Sequence, residues 1–105
     1  MSDTDPGALM IIQATITDPG RFAEYAKRTP ALVSEHGGRY IAMRSEVQVL
    51  EGAADDRKVV ISAWPSLAAA RAFWDSDAYA ELKALRAGAA DVQVTLVQCK
   101  VPAPS

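Results

Sequence analysis

The segment LMIIQATIT, residues 9–17, constrains the fold more than any other part of the chain. Successive side chains of a strand point to opposite faces, so Leu9 and Ile11 lie on one side and Met10, Ile12 and Ile16 on the other. A strand that is apolar and β-branched on both sides must be covered on both. With 105 residues the chain builds one domain around one small core. Its own helices can cover one face of a sheet containing this strand, and the second face needs another source of apolar cover.

The rest of the pattern supplies those helices. Asp18 and Pro19 start a helix, with the carboxylate accepting backbone donors as N-cap and proline at the first helical position, where its missing N–H costs nothing. Phe22, Tyr25, Thr29, Val33 and His36 recur at helical spacing and share one face, provided that the helix continues past Pro30, which predicts a kink or a split. Gly37 and Gly38 end it, since glycine enters the left-handed conformation without steric cost. RYIAMRSEVQVLEG (39–52) then alternates, with Ile41, Met43, Val47 and Val49 on one face and Tyr40, Arg44, Glu46 and Gln48 on the other, as a long strand or one bent near Ser45. KVVISAW (58–64) is a third strand. Ser66 caps a short helix over 67–74, and a second helical stretch over 75–88 has Asp75 and Asp77 at its head and Lys83 and Arg86 towards its end, matching the helix dipole. DVQVTLVQCKV (91–101) is the last strand.

The order is βαββαβ, which predicts an α+β, ferredoxin-like domain over residues 8–101: a four-stranded antiparallel sheet with helices on one face, and flexible tails at 1–7 and 102–105. The uncovered sheet face predicts a homodimer packed sheet to sheet.

Composition narrows the partners. The formal charge is −2 and the basic residues are scattered, so there is no field for a nucleic-acid backbone. No apolar run approaches the roughly 20 residues needed to span a bilayer. The acidic MSDTDPGA start lacks the features of a signal peptide, which predicts a cytoplasmic protein. Cys99 is the only cysteine and His36 the only histidine, too few for the usual zinc ligand sets. Phosphate-cradling glycine loops and nucleophile elbows are absent, and neither metal nor organic cofactor is expected.

Taken together, Tyr25, the HGGRY run at 36–40, Val49-Leu50-Glu51-Gly52, the Trp64-Pro65-Ser66 turn, Arg71 with Phe73, and Ser76 through Tyr79 to Arg86 form a pattern. This pattern, spread over residues 9–100, resembles the bacterial domain of unknown function 1330 family of the dimeric α/β-barrel superfamily. The resemblance implies a sheet-to-sheet dimer and a small-molecule pocket between helices and sheet. It does not choose a reaction, because relatives in the superfamily include cofactor-free monooxygenases, polyketide cyclases, an isomerase and haem enzymes, beside proteins with no known activity.

Among residues able to carry chemistry, His36 brings the chain's one imidazole, a side chain that can act as acid or base, and Glu51 ends an otherwise apolar row, so the two are the candidate acid–base pair. A histidine in the last helical turn is equally a cap residue, and Glu51 equally a solvated strand end. Arg39 and Arg86 are candidate holders of an anionic group. Tyr25, Tyr40, Trp64 and Tyr79 are candidate cavity walls, with polar tips to orient a ligand. The expected function is binding of a small aromatic or acidic metabolite, with metal-free, cofactor-independent monooxygenation, isomerisation or cyclisation if the protein is an enzyme. The other expectation is a non-catalytic ligand-binding or stress-associated dimer.

Overall fold

The computed structural model describes residues 6–100. The elements follow in the order β1 (Ala8–Ile16), α1 (Pro19–Glu35), β2 (Arg39–Ser45), β3 (Lys58–Trp64), α2 (Leu67–Trp74), α3 (Asp77–Leu85) and β4 (Ala90–Gln98). The sheet order is β2-β3-β1-β4 with every neighbouring pair antiparallel, so the domain is α+β and ferredoxin-like. Most of the tails expected at 1–7 and 102–105, together with Val101, lies outside the described residues. Gly7 is no tail residue, since its N–H donates to the Trp64 carbonyl at 2.8 Å and its own carbonyl accepts from Cys99 N at 2.9 Å.

Local chemistry sets the ends of the helices. The Asp18 carboxylate accepts from the Arg21 N–H at 3.1 Å and Pro19 occupies the first turn. At the other end Gly37 adopts φ 85°, its N–H donates to the Ser34 carbonyl and the Gly38 N–H donates to the Val33 carbonyl. These two bonds are those of a Schellman motif, closing the orphan carbonyls of the last turn. The expected split at Pro30 does not occur: α1 is continuous across it. An interior proline costs about 3 kcal/mol or more through its lost bond and ring clash. Burial of Tyr25 and Thr29 before it and Val33 after it holds both halves of the helix in place. Ser76 separates α2 from α3 by donating its hydroxyl to the Phe73 carbonyl at 2.8 Å and accepting from the Tyr79 N–H at 3.1 Å.

Ala8 and Met10 of β1 are buried under the helices, with Trp64, Phe73, Tyr79, Leu82 and Val33 completing the centre of the core. The residues between them in register face the other way. Leu9 pairs with Ala63 and Val97, and Ile11 with Ile61 and Thr95, so the helix-free face of the sheet is apolar along its middle strands.

β2 departs from the simple alternation. Tyr40 pairs with Ser62 but Ala42 with Ile61 and Ser45 with Val59, so β2 carries extra residues relative to β3, and Arg44 takes φ 49°. Bulges shift which side chains face inward. Met43 therefore shares the inner face with Tyr40 despite their odd spacing. The strand ends at Ser45; Val47, Val49 and Leu50 are exposed in a connecting segment instead of continuing an apolar strand face. That connection is fastened by Arg57, which holds the Asp55 carboxylate at 2.7 Å and reaches Gln93 Oε1 of β4 at 3.2 Å. The Arg57 hydrogen bonds bring the Asp55 pKa down to about 2.

Gly38 is needed for close approach as well as for the turn. A Cβ there would lie 2.8 Å from the Trp64 ring and 2.8 Å from Val33 Cγ1. Gly38→Ala should cost about 1–3 kcal/mol through overpacking against the indole, read as a lower urea midpoint with an unchanged m-value. Wild-type stability in that variant would show that Trp64 has room to move.

Candidate functional site

A cavity of about 170 Å³ lies between α1 and the inner face of the sheet. Aliphatic residues of β1, including Met10, Ile12 and Ile16, form its floor, while Phe22 and Val33 of α1 roof it. Trp64 and Phe73 also line it, with ring centroids 4.9 Å apart. The Trp64 indole N–H donates to Ser62 Oγ at 2.9 Å, which leaves the ring face as an apolar wall.

One polar cluster interrupts this lining. The Tyr25 and Tyr79 hydroxyls share a hydrogen bond of 2.7 Å, joining α1 to α3. Arg86, the C-cap residue of α3, donates from Nη2 to the Tyr79 hydroxyl at 3.4 Å and lays its guanidinium over the Tyr25 ring, 5.3 Å from the centroid. Arg86 Nε is buried and has no hydrogen-bond partner among the described residues. Burial, reinforced by the neighbouring Tyr79 hydroxyl, pushes the Tyr25 hydroxyl well above the ordinary phenol range, so it stays protonated at neutral pH. Burial opposes the charge on Arg86, but its bonds and proximity to Tyr79 and Tyr25 outweigh that penalty and keep it cationic. Tyr40 enters from β2, where burial and then Tyr79 raise it to about 12.

Of the residues expected from sequence, Tyr25, Tyr40, Trp64, Tyr79 and Arg86 all line this cavity. Arg39, His36 and Glu51 do not. Arg39 sits on β2 opposite Ala63, in register with the outer face. His36 is the C-cap of α1; its Nδ1 lies 3.1 Å from the Leu32 carbonyl and its ring packs edge-on against Phe73 at 5.8 Å. Glu51 is exposed in the β2–β3 connection. No hydrogen bond or ion pair joins His36 to Glu51, so the single chain does not assemble the acid–base pair.

Two lining cations were not expected, Arg44 and Lys58. Period-two counting back from Trp64 through Ser62 and Val60 reaches Lys58 and would have found it. Alternation from Tyr40 likewise puts Arg44 on the cavity side of β2, whereas Met43, assigned by the same rule to the opposite face, reaches the lining through the β2 irregularities.

Residues 7–99 match the family model described as a domain of unknown function, DUF1330. The chain belongs to this family. No curated protein matches it in sequence. Among solved structures, the DUF1330 chain is similar to a protein of unknown function from Rhodopseudomonas palustris, with a TM-score of 0.71 at 18% identity over 96% of this chain and 88% of that one. It is also similar to SnoaB, a cofactor-independent oxygenase from Streptomyces nogalater, with a TM-score of 0.64 at 16% identity over 96% of this chain and 100% of that one. A hypothetical Arabidopsis thaliana protein gives 0.63 at 16% identity, over 99% and 97% of the two chains. At these identities the similarity establishes a shared fold.

The site generates two expectations. Because Tyr40 holds its proton up to about 12 in the folded state and only to about 10 when unfolded, its contribution to stability is intact below pH 10 and is lost as pH rises towards 12. Tyr40→Phe should flatten that alkaline loss in denaturation curves measured across the interval; an unchanged slope would place the titration elsewhere. His36→Ala should lower stability by about 0.5–1.5 kcal/mol through the lost bond to the last helical turn, while ligand affinity measured by quenching of tryptophan fluorescence stays the same. A large loss of affinity would return His36 to the site.

Proposed function

We propose that this DUF1330 protein holds a small, single-ring aromatic or acidic metabolite in the cavity between α1 and the sheet. The observation that carries the reading is the Tyr25–Tyr79–Arg86 cluster in an otherwise mostly apolar enclosure, the usual composition of a small-molecule site. Size limits the ligand. Pockets for drug-sized molecules begin at about 300 Å³, whereas an apolar cavity of roughly 150 Å³ takes benzene, so 170 Å³ suits one ring.

The working unit in this reading is a homodimer. Leu9, Ile11 and Ile61 form an apolar strip on the face of the sheet without helices, and Val97 beside them is 40% exposed. A second copy meeting this face sheet to sheet covers it with an identical surface.

As an enzyme, the protein would carry out oxygenation, isomerisation or cyclisation without metal or organic cofactor. The fold shared with SnoaB supports oxygenation among these. A non-catalytic binding role is favoured by one observation: among the described residues, the lining contains no carboxylate and no histidine to serve as a base near neutral pH. Chemistry in this cavity therefore requires a ligand that arrives already ionised.

Native mass spectrometry of gently purified protein should give a dimer carrying a discrete small-molecule mass; a monomer would overturn the sheet-to-sheet assembly. Oxygen consumption with single-ring phenols and enols separates the two roles, since the binding role predicts none above the protein-free rate.

A further inference from the structure

The hydrogen-bond inventory of the polar cluster does not balance. Tyr25 and Tyr79 bring two hydroxyl protons and share one mutual bond, and the Tyr79 oxygen also accepts from Arg86 Nη2. One tyrosine O–H is thus left without an acceptor among the described residues, and Arg86 Nε–H is buried without one. A buried donor without a partner costs about 1–3 kcal/mol, so the cluster is short of acceptors by two. The charges point the same way. Among the described residues, Arg44, Lys58 and Arg86 are the charged residues of the lining, and all are cationic although the whole chain carries −2. They lie at different depths: Arg86 is half-buried, while Arg44 and Lys58 are exposed. Lys58 is 3.5 Å from Glu46 in a solvent-exposed pair worth little, and Arg44 has no ion-pair partner among the described residues.

We propose that the cavity selects the anionic form of a single-ring acid, with the ligand's oxyanion seated against the Tyr25–Tyr79–Arg86 cluster, where it accepts from the free tyrosine hydroxyl and compensates the Arg86 charge, and with Arg44 and Lys58 attracting it at the rim. This rests on the reading of the cavity as a ligand site and deepens it by fixing charge and orientation: oxyanion inward against the cluster, ring against Met10, Ile12 and Trp64. A carboxylate or a phenolate meets the same requirement, because each presents an oxygen that only accepts. Hydrogen bonds from a cation to an ionised acceptor are roughly twice as strong as neutral ones, and a low-dielectric surround strengthens them further. A neutral ligand of the same shape satisfies the donors but leaves the Arg86 charge uncompensated.

The test is calorimetric titration of the full chain at neutral pH with benzoate and with benzamide, which match in size and differ in charge, and with a non-ionised alkylbenzene. Benzoate should bind about tenfold or more tightly than benzamide. The preference should vanish in Arg86→Met, persist in weakened form in Arg86→Lys, and survive in Arg44→Gln/Lys58→Gln with slower, less salt-sensitive association in stopped-flow fluorescence. Equal binding of benzoate and benzamide to the wild-type protein overturns the anion selection while the cavity stands as a ring-binding site. A preference retained in Arg86→Met overturns the assignment to Arg86. Failure of all three ligands, alkylbenzene included, overturns the ligand-site reading itself. The wild-type comparison needs no variant, so a misfolded Arg86→Met does not blunt it.

Discussion

Tyr79 is the point on which the interior turns. It is buried at the meeting place of α2, α3 and α1, with its ring against Phe73 at 4.5 Å and Trp74 at 5.2 Å and its hydroxyl bonded to Tyr25. A phenol buried so deeply must pair its oxygen, and the two available partners are the tyrosine of the opposing helix and the arginine that caps the end of its own helix. That single requirement ties α1 to α3, brings a cation to the edge of the core, and leaves the cluster beside the cavity with more donors than acceptors. Packing and polarity are the same feature here: the contact that closes the helical layer also gives the cavity its polar end.

The sheet has the opposite problem. Its inner face is filled by large aromatics and by the cavity, while its outer face carries aliphatic side chains with no helix over them. A four-stranded sheet with helices on one side cannot bury a strand as apolar as β1 on both sides from within one chain. The site and the exposed face are therefore on opposite sides of the same strand. Assembly through the outer face would stiffen the floor of the cavity without occluding it.

Much of this was legible in the sequence because the signals were local. Asp18-Pro19, Gly37-Gly38 and Ser66 each act within a few residues of themselves and set the ends of α1 and the start of α2, whereas the last helix, read from sequence over 75–88, spans Asp77–Leu85 because Asp75 closes α2 and Ser76 caps α3. Tyr25 was legible as an inner-face residue by helical spacing, and Tyr79 and Arg86 as a candidate wall and a candidate anion holder. His36 and Glu51 were not placeable by the same means. The imidazole turns back on its own helix to the Leu32 carbonyl, a choice made by the cap geometry, and Glu51 lies beyond the point where β2 stops alternating.

The sequence by itself determined the βαββαβ order, the ends of α1, the start of α2 and the two-sided apolarity of β1, because each depends on periodicity and on the conformational preferences of single residues. Only the tertiary structure decided which side chains share the cavity. The β2 irregularities turn Met43 inward, the pairing of Tyr25 with Tyr79 spans 54 residues, and Arg86 is left with a buried Nε that has no partner among the described residues. Register shifts and long-range hydrogen bonds are set by how the layers fit, and no local rule contains that information.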